Sequence, residues 1–192
     1  NHWKHILDGR KYIDARPERT GIGHIELDFI VSKDSPWVLL VAVDWQAKRT
    51  WVVKLSNRKR DTIRAALSRL FHGIVLKSIT TDNDIAFTCW RELEVLLNTQ
   101  IYFTHPYHSW EKGLVENTNR WIRCFVPKRR DIGSVTQEEL DEIHAFLNDR
   151  PRECIEFRTL FAGKNWNGWR TIKIGFDSAA DADDYYYYTS NN

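Results

Sequence analysis

Three carboxylates occupy positions where an acid needs a reason. Asp28 lies inside the β-rich apolar run "IELDFIV", where a carboxylate is costly unless it is paired, metal-bound or on an open edge. By alternation, Glu26, Asp28 and Ile30 share one face of that strand and Leu27, Phe29 and Val31 the other. Asp82 ends the strand-like "SITTD", and carboxyl ends of strands are where α/β sheets place their sites. Glu116 sits in the helical stretch "EKGLVENTNRWIR" among Lys112, Arg120 and Arg123. On a helical wheel with Glu116 at zero, Arg120 falls at about 40° and Arg123 at about −20°. Leu114, Thr118, Trp121 and Phe125 lie opposite and are expected to form the buried face. Three acids without His or Cys suit hard cations such as Mg²⁺ or Mn²⁺. Two such ions about 4 Å apart clamp the attacking and leaving oxygens of an in-line phosphodiester displacement. Arg120 and Arg123 beside them would grip phosphate. Each feature also has a plain structural reading: a surface Glu–Arg pair for Glu116, an Asx turn for Asp82, an open strand face for Asp28.

The elements needed to bring these acids together are legible. The runs 24–32, 37–45 and 49–55 are separated by the turn-like "KDSP" and "QAK", the pattern of an antiparallel meander. The middle run is nearly all apolar, which predicts a central strand covered on both faces. "RKRDTIRAALSRLFHG" reads as a helix with Ile63, Leu67 and Leu70 at helical spacing and Gly73 closing it. A strand (76–82), a helix ("FTCWRELEVLLN"), a strand ("QIYFTH") and the loop "PYHSWEKG" precede the Glu116 helix, which Pro127 ends. A last helix, "TQEELDEIHAFLNDR", has a capping box in Thr136 and Glu139 and an apolar stripe of Leu140, Ile143 and Leu147. The order βββ-α-β-α-β-α-α predicts an α/β fold, a mixed five-stranded sheet with helices on its faces. Residues 1–20 read as a linker and 21–160 as the core. Residues 161–192 form an extension, with a strand pair expected in "GKNWNGWRTIKIGF" and a disordered acidic tail in "DSAADADDYYYYTSNN".

The chain of 192 residues carries a formal net charge of +2. The positive charge clusters in "KRTWVVKLSNRKRDTIR" and in "RWIRCFVPKRR", which contains Lys128 and Arg129, and such clusters suit a polyanion. Cys89, Cys124 and Cys154 are odd in number and widely spaced, which argues for a reducing compartment and against a disulfide scaffold. His2 and His5 have metal-compatible spacing but no Cys pair nearby. No apolar run reaches membrane-spanning length, and no secretory leader is visible. The sequence contains no Met, so an excised piece of something longer is expected.

Thirty-three residues separate Asp82 from Glu116, and the order Asp28, Asp82, Glu116 resembles the DDE triad of transposases and retroviral integrases. More closely, "GHIELDFIV", "YFTHPYHSWEKGLVENTNRWIRCFVPK" and "ELDEIHAFLNDRPRE" resemble three motifs of the IS30 family of bacterial insertion-sequence transposases. The likeness covers about residues 12–160. It implies an RNase H-like fold and a DNA transposase core that cuts a strand and joins the freed 3′-hydroxyl to a target phosphodiester. It further implies two Mg²⁺ or Mn²⁺ ions on Asp28, Asp82 and Glu116, with Asp28 bridging. DNA contacts are implied at Asn119 and Arg120 and, with the basic residues above, at Lys112, Arg123, Lys128 and Arg129. A homodimer or higher oligomer on transposon ends and target DNA, and a bacterial cytoplasmic, nucleoid-associated setting without a membrane, complete the expectation. The sequence departs from the family in "DNDIAF", where Asp84 replaces a Gly and Ala86 a Glu; Asp84 thereby becomes a rival or auxiliary ligand. The family's end-reading helix-turn-helix is not in this sequence. A non-catalytic DNA-binding or assembly module of the same fold, and a stand-alone RNase H-like nuclease, remain as alternatives.

Overall fold

The computed structural model describes residues 9–106, 108–149, 170–174 and 185–189. Its main sheet is built from β1 (Lys11–Tyr12), β2 (His24–Val31), β3 (Val38–Asp44), β4 (Thr50–Leu55), β5 (Ser78–Thr81) and β6 (Gln100–Phe103). The meander forms as its alternation demands. β2 pairs antiparallel with β3 from Ile25↔Asp44 to Val31↔Val38, and β3 with β4 from Val38↔Leu55 to Val43↔Thr50. On the other side of β2, β5 pairs parallel with it, β6 parallel with β5, and β1 parallel with β6. The spatial order is therefore β1-β6-β5-β2-β3-β4.

Parallel neighbours need crossover connections, and the helices supply them. α1 (Arg60–Leu70) and α2 (Trp90–Leu97) lie between β4 and β5 and between β5 and β6 in the chain. Their apolar sides, Ile63, Leu67 and Leu70 and then Trp90 and Leu93, share one core with Ile25, Leu27, Leu40 and Ile79. α3 (Gly113–Phe125) and α4 (Gln137–Asp149) cover the opposite face. There Val115, Ile122, Ile143 and Leu147 pack with Ile30, Leu39, Val41, Val43 and Val52. Every residue of β3 is buried, as its continuous apolar run requires of a strand covered on both faces. Each such Leu, Ile or Val contributes roughly 1.5–3 kcal/mol relative to exposure. The capping box is present: the Thr136 N–H donates to Glu139 Oε2 at 2.9 Å and the Glu139 N–H to Thr136 Oγ1 at 3.3 Å. Gly73 takes φ +73° just past α1, a conformation that favours glycine. A mixed sheet of this order, with helices on both faces, is RNase H-like.

Four expectations need correction. The sheet has six strands, because Lys11–Tyr12, in the presumed linker, adds a short edge strand. The Glu116 helix begins at Gly113, and Ser109–Lys112 is a 3₁₀ turn. The buried side of α3 is Val115, Thr118 and Ile122, whereas Trp121 is 40 % exposed. The wheel placed the core opposite Glu116; the helix is rolled so that its core axis lies about a third of a turn from that residue. Finally, Arg170–Ile174 pairs antiparallel with Tyr185–Thr189. The strand pair thus takes its second member from the segment read as a disordered tail. His2, His5 and Cys154 lie outside the described residues. Among the described residues, no helix is long and apolar enough to cross a membrane.

Candidate active site

Glu26 explains the roll of α3. It is only 2 % exposed, and its Oε2 accepts the Val115 N–H at 3.1 Å while its Oε1 pairs with Arg19 Nη1 at 2.7 Å. First-turn N–H groups of a helix have no partner within the helix, and a carboxylate there is favoured by the helix dipole. The strand thereby fixes the entry of the helix on the sheet. With Val115 held down, Glu116 is placed beside the strand and not away from it. Sequence reading passed over Glu26, although alternation puts it on the same face as Asp28.

Asp28, Asp82 and Glu116 line one cleft of about 310 Å³, together with Asn83, Asp84, Thr104, His105, Pro106, His108 and Lys112. Three elements distant in the chain deliver the acids: the middle of β2, the residue after β5, and the first turn of α3. The most direct link between two of them is Lys112. Its Nζ lies 3.3 Å from Asp28 Oδ1 and 3.3 Å from Asp82 Oδ2, so those two oxygens are no further apart than the two contacts combined. It also reaches the Leu27 carbonyl at 3.5 Å. The Lys112 side chain is 4 % exposed, against 20 % for Asp28 and 42 % for Asp82. A buried ammonium between two carboxylates is the protein's own counter-charge for them. Lys112 was expected to contact DNA; it sits in the 3₁₀ turn before the helix and points into the acid pair.

Burial raises the Asp28 carboxyl above the usual range; Lys112 opposes this and the neighbouring Asp82 adds to it. Asp28 is further held by the Asn119 side chain, whose Nδ2 donates to Oδ2 at 2.9 Å, and by the Phe29 N–H, which donates to Oδ1 at 2.9 Å. Asn119, expected at the DNA, is thus turned to an acid of the cleft. Asp84 lines the same cleft, but both of its oxygens are engaged. Oδ1 accepts the Ala86 N–H at 2.8 Å, capping the 3₁₀ turn Ile85–Phe87, and Oδ2 pairs with Arg58 Nη1 at 2.7 Å. Its own N–H donates to Asp82 Oδ1 at 3.1 Å. The Gly-to-Asp departure is accommodated because φ at Asp84 is −58°, open to any residue.

The basic residues divide. Arg120 is exposed on α3, and Lys128 and Arg129 are exposed beyond its end. Arg123 donates through Nη2 to the Val31 carbonyl at 2.8 Å and through Nη1 to the Val126 carbonyl at 3.4 Å. It joins the end of β2 to the end of α3, and partial burial lowers its pKa.

A two-faced mixed sheet whose central strands and covering helix deliver three acids to one cleft is compatible with an RNase H-like fold. No protein-family model matches the chain. It is similar to the transposase for insertion sequence element IS4351 of Bacteroides fragilis, with 34 % identity over 165 residues, 83 % of this chain and 51 % of that protein. It is also similar to transposase InsI for IS30A of Escherichia coli K12, with 31 % identity over 144 residues, 73 % of this chain and 37 % of that protein. A putative integrase, ORF3 of Spiroplasma virus SpV1-R8A2 B, is 28 % identical over 79 % of this chain and 48 % of its own length. The chain spans about half the length or less of these curated relatives. Across the aligned region most of the relatives it matches are insertion-sequence transposases, those of IS30 elements among them.

Proposed function

We propose that this chain is the catalytic core of a DDE-type DNA transposase, which cleaves a DNA strand and transfers its 3′-hydroxyl to a target phosphodiester. The observation that carries the reading is the meeting of Asp28 and Asp82 on Lys112 in a cleft that Glu116 also lines. The donor set fits hard divalent cations: three carboxylates, with a cation already seated between two of them. Asp28, Asp82 and Glu116 would hold Mg²⁺ or Mn²⁺, which when bound supplies charge neutralisation for the attacking and leaving oxygens. Asn119 orients Asp28, and Glu26 sets the height of Glu116 by fixing α3. Lys112 would supply the positive charge between Asp28 and Asp82 where no divalent cation does so. Arg120, Lys128 and Arg129 would hold the DNA backbone.

Lys112 also favours a second reading, a non-catalytic module in which the ammonium fills the seat permanently. Strand transfer of pre-cut 3′-hydroxyl DNA ends into a plasmid, in Mg²⁺ and in Mn²⁺, separates the two. Joined products that disappear in Asp82→Asn support the transposase. Their absence with intact DNA binding supports the module.

A further inference from the structure

A second group of ligating side chains stands at the rim of the cleft, unused by the reaction proposed above and argued independently of it. His105 follows β6, His108 lies in the loop beyond, and Glu111 is in the 3₁₀ turn before α3. Glu111 Oε1 lies 3.0 Å from His105 Nδ1 and 3.3 Å from His108 Nδ1. One ligand atom from each residue lies within 4.8 Å of the other two. The cluster is braced from behind. Glu111 Oε2 accepts the His105 backbone N–H at 2.8 Å, the Tyr12 ring stacks on the His105 ring at 5.2 Å, and His105 Nε2 lies 2.9 Å from Asp14 Oδ2.

We infer that His105, His108 and Glu111 form a binding site for a transition-metal dication of the Zn²⁺ class, separate from the hard-cation site of Asp28, Asp82 and Glu116. Two imidazoles and one carboxylate suit Zn²⁺ or Co²⁺ and not Mg²⁺. Zn–N bonds of about 2.0–2.1 Å imply tetrahedral donor separations of roughly 3.3 Å, close to the two contacts at Glu111 Oε1. Asp14 holds the position of the carboxylate that accepts the far N–H of a ligating histidine and fixes its tautomer. Both Nδ1 atoms address the same carboxylate oxygen, so the three ligand atoms already converge where one dication could sit. Bound there, it ties the end of β6 to the turn that carries Lys112. Three protein ligands leave a coordination position for water or a phosphate oxygen.

The test is calorimetric titration of ZnCl₂ into the chelator-treated chain, with the visible absorption of the Co²⁺ form as a spectroscopic check on geometry. One Zn²⁺ per chain is expected, retained in Asp28→Asn/Asp82→Asn. His108→Ala and Glu111→Gln should each weaken binding at least about ten-fold, and Asp14→Asn by about ten-fold. Circular dichroism confirms that each variant is folded; His108 is on a partly exposed loop, so its truncation leaves the core intact. Unchanged Zn²⁺ affinity in folded His108→Ala overturns the inference, whether the ion then proves to depend on the Asp28/Asp82 pair or on His2 and His5. Absence of both binding heat and a tetrahedral Co²⁺ spectrum overturns it as well.

Discussion

Lys112 is the residue on which the candidate site turns. Two carboxylates in one cleft repel each other, and burial already disfavours the charged form of Asp28. The Lys112 ammonium offsets both costs, and a divalent cation would do so more strongly. Lys112→Met keeps the length of the stem and removes the charge. The metal-free protein should then lose about 1–3 kcal/mol in chemical denaturation, the range for leaving a buried polar partner uncompensated. Added Mg²⁺ should raise the melting temperature of this variant more than that of the parent, because the ion no longer competes with an ammonium. Equal stability and an equal Mg²⁺ shift would show that Lys112 is not the counter-charge. The sequence singled out this lysine only as a DNA contact and could not show its pairing with the acids. It precedes the helix, so no wheel placed it, and its neighbours Asp28 and Asp82 are 84 and 30 residues away in the chain.

At the scale of elements, α3 sorts its cations. Arg120 is exposed and has no side-chain partner among the described residues, whereas Arg123 is tied to the carbonyls of Val31 and Val126. DNA affinity measured against salt should therefore separate them. Arg120→Ala is expected to lower the magnitude of the salt slope by about one unit, one phosphate contact. Arg123→Ala should leave the slope unchanged and reduce stability by about 1 kcal/mol. The opposite assignment would restore the stripe inferred from the wheel. α4 carries a different sensitivity. His144 Nε2 accepts the Val52 N–H at 2.8 Å, which requires the neutral ring, and burial lowers the pKa of His144 to about 4. The unfolded chain binds that proton near pH 6.5, so stability is full above this value and declines as the pH falls towards 4. The residue is partly exposed, and the loss is discounted to roughly 2 kcal/mol. His144→Gln retains an acceptor for Val52 and should flatten the decline in urea denaturation between pH 7 and 4. An unchanged decline would place the proton uptake elsewhere.

At the scale of the molecule, the order of elements and both cores were readable because burial imposes period two on strands and period 3.6 on helices. Ile63, Leu67 and Leu70, and then Leu140, Ile143 and Leu147, are buried where their spacing put them. Most of what escaped the sequence has one physical origin: long-range polar contacts carry no local period. The Glu26–Val115 bond that rolls α3, the turning of Asn119 onto Asp28, and the engagement of Asp84 by Arg58 each join residues by sites remote in the chain. The edge strand Lys11–Tyr12 escaped for a different reason, since two residues are too short to show alternation. The acids themselves were visible as local anomalies, but their meeting is a property of the fold.

The central claim is that Asp28, Asp82 and Glu116 act as one phosphoryl-transfer centre while Asp84 supports it from the side. Nicking of supercoiled plasmid DNA in Mn²⁺, followed on agarose gels for the parent chain and four single variants, tests this most directly. Asp28→Asn, Asp82→Asn and Glu116→Gln should each abolish divalent-metal-dependent nicking while remaining folded. Asp84→Ala should keep most of it, at a stability cost of about 1 kcal/mol for the lost cap. Persistent nicking in Glu116→Gln, or its loss in Asp84→Ala with retention in Asp82→Asn, would contradict the assignment of this centre.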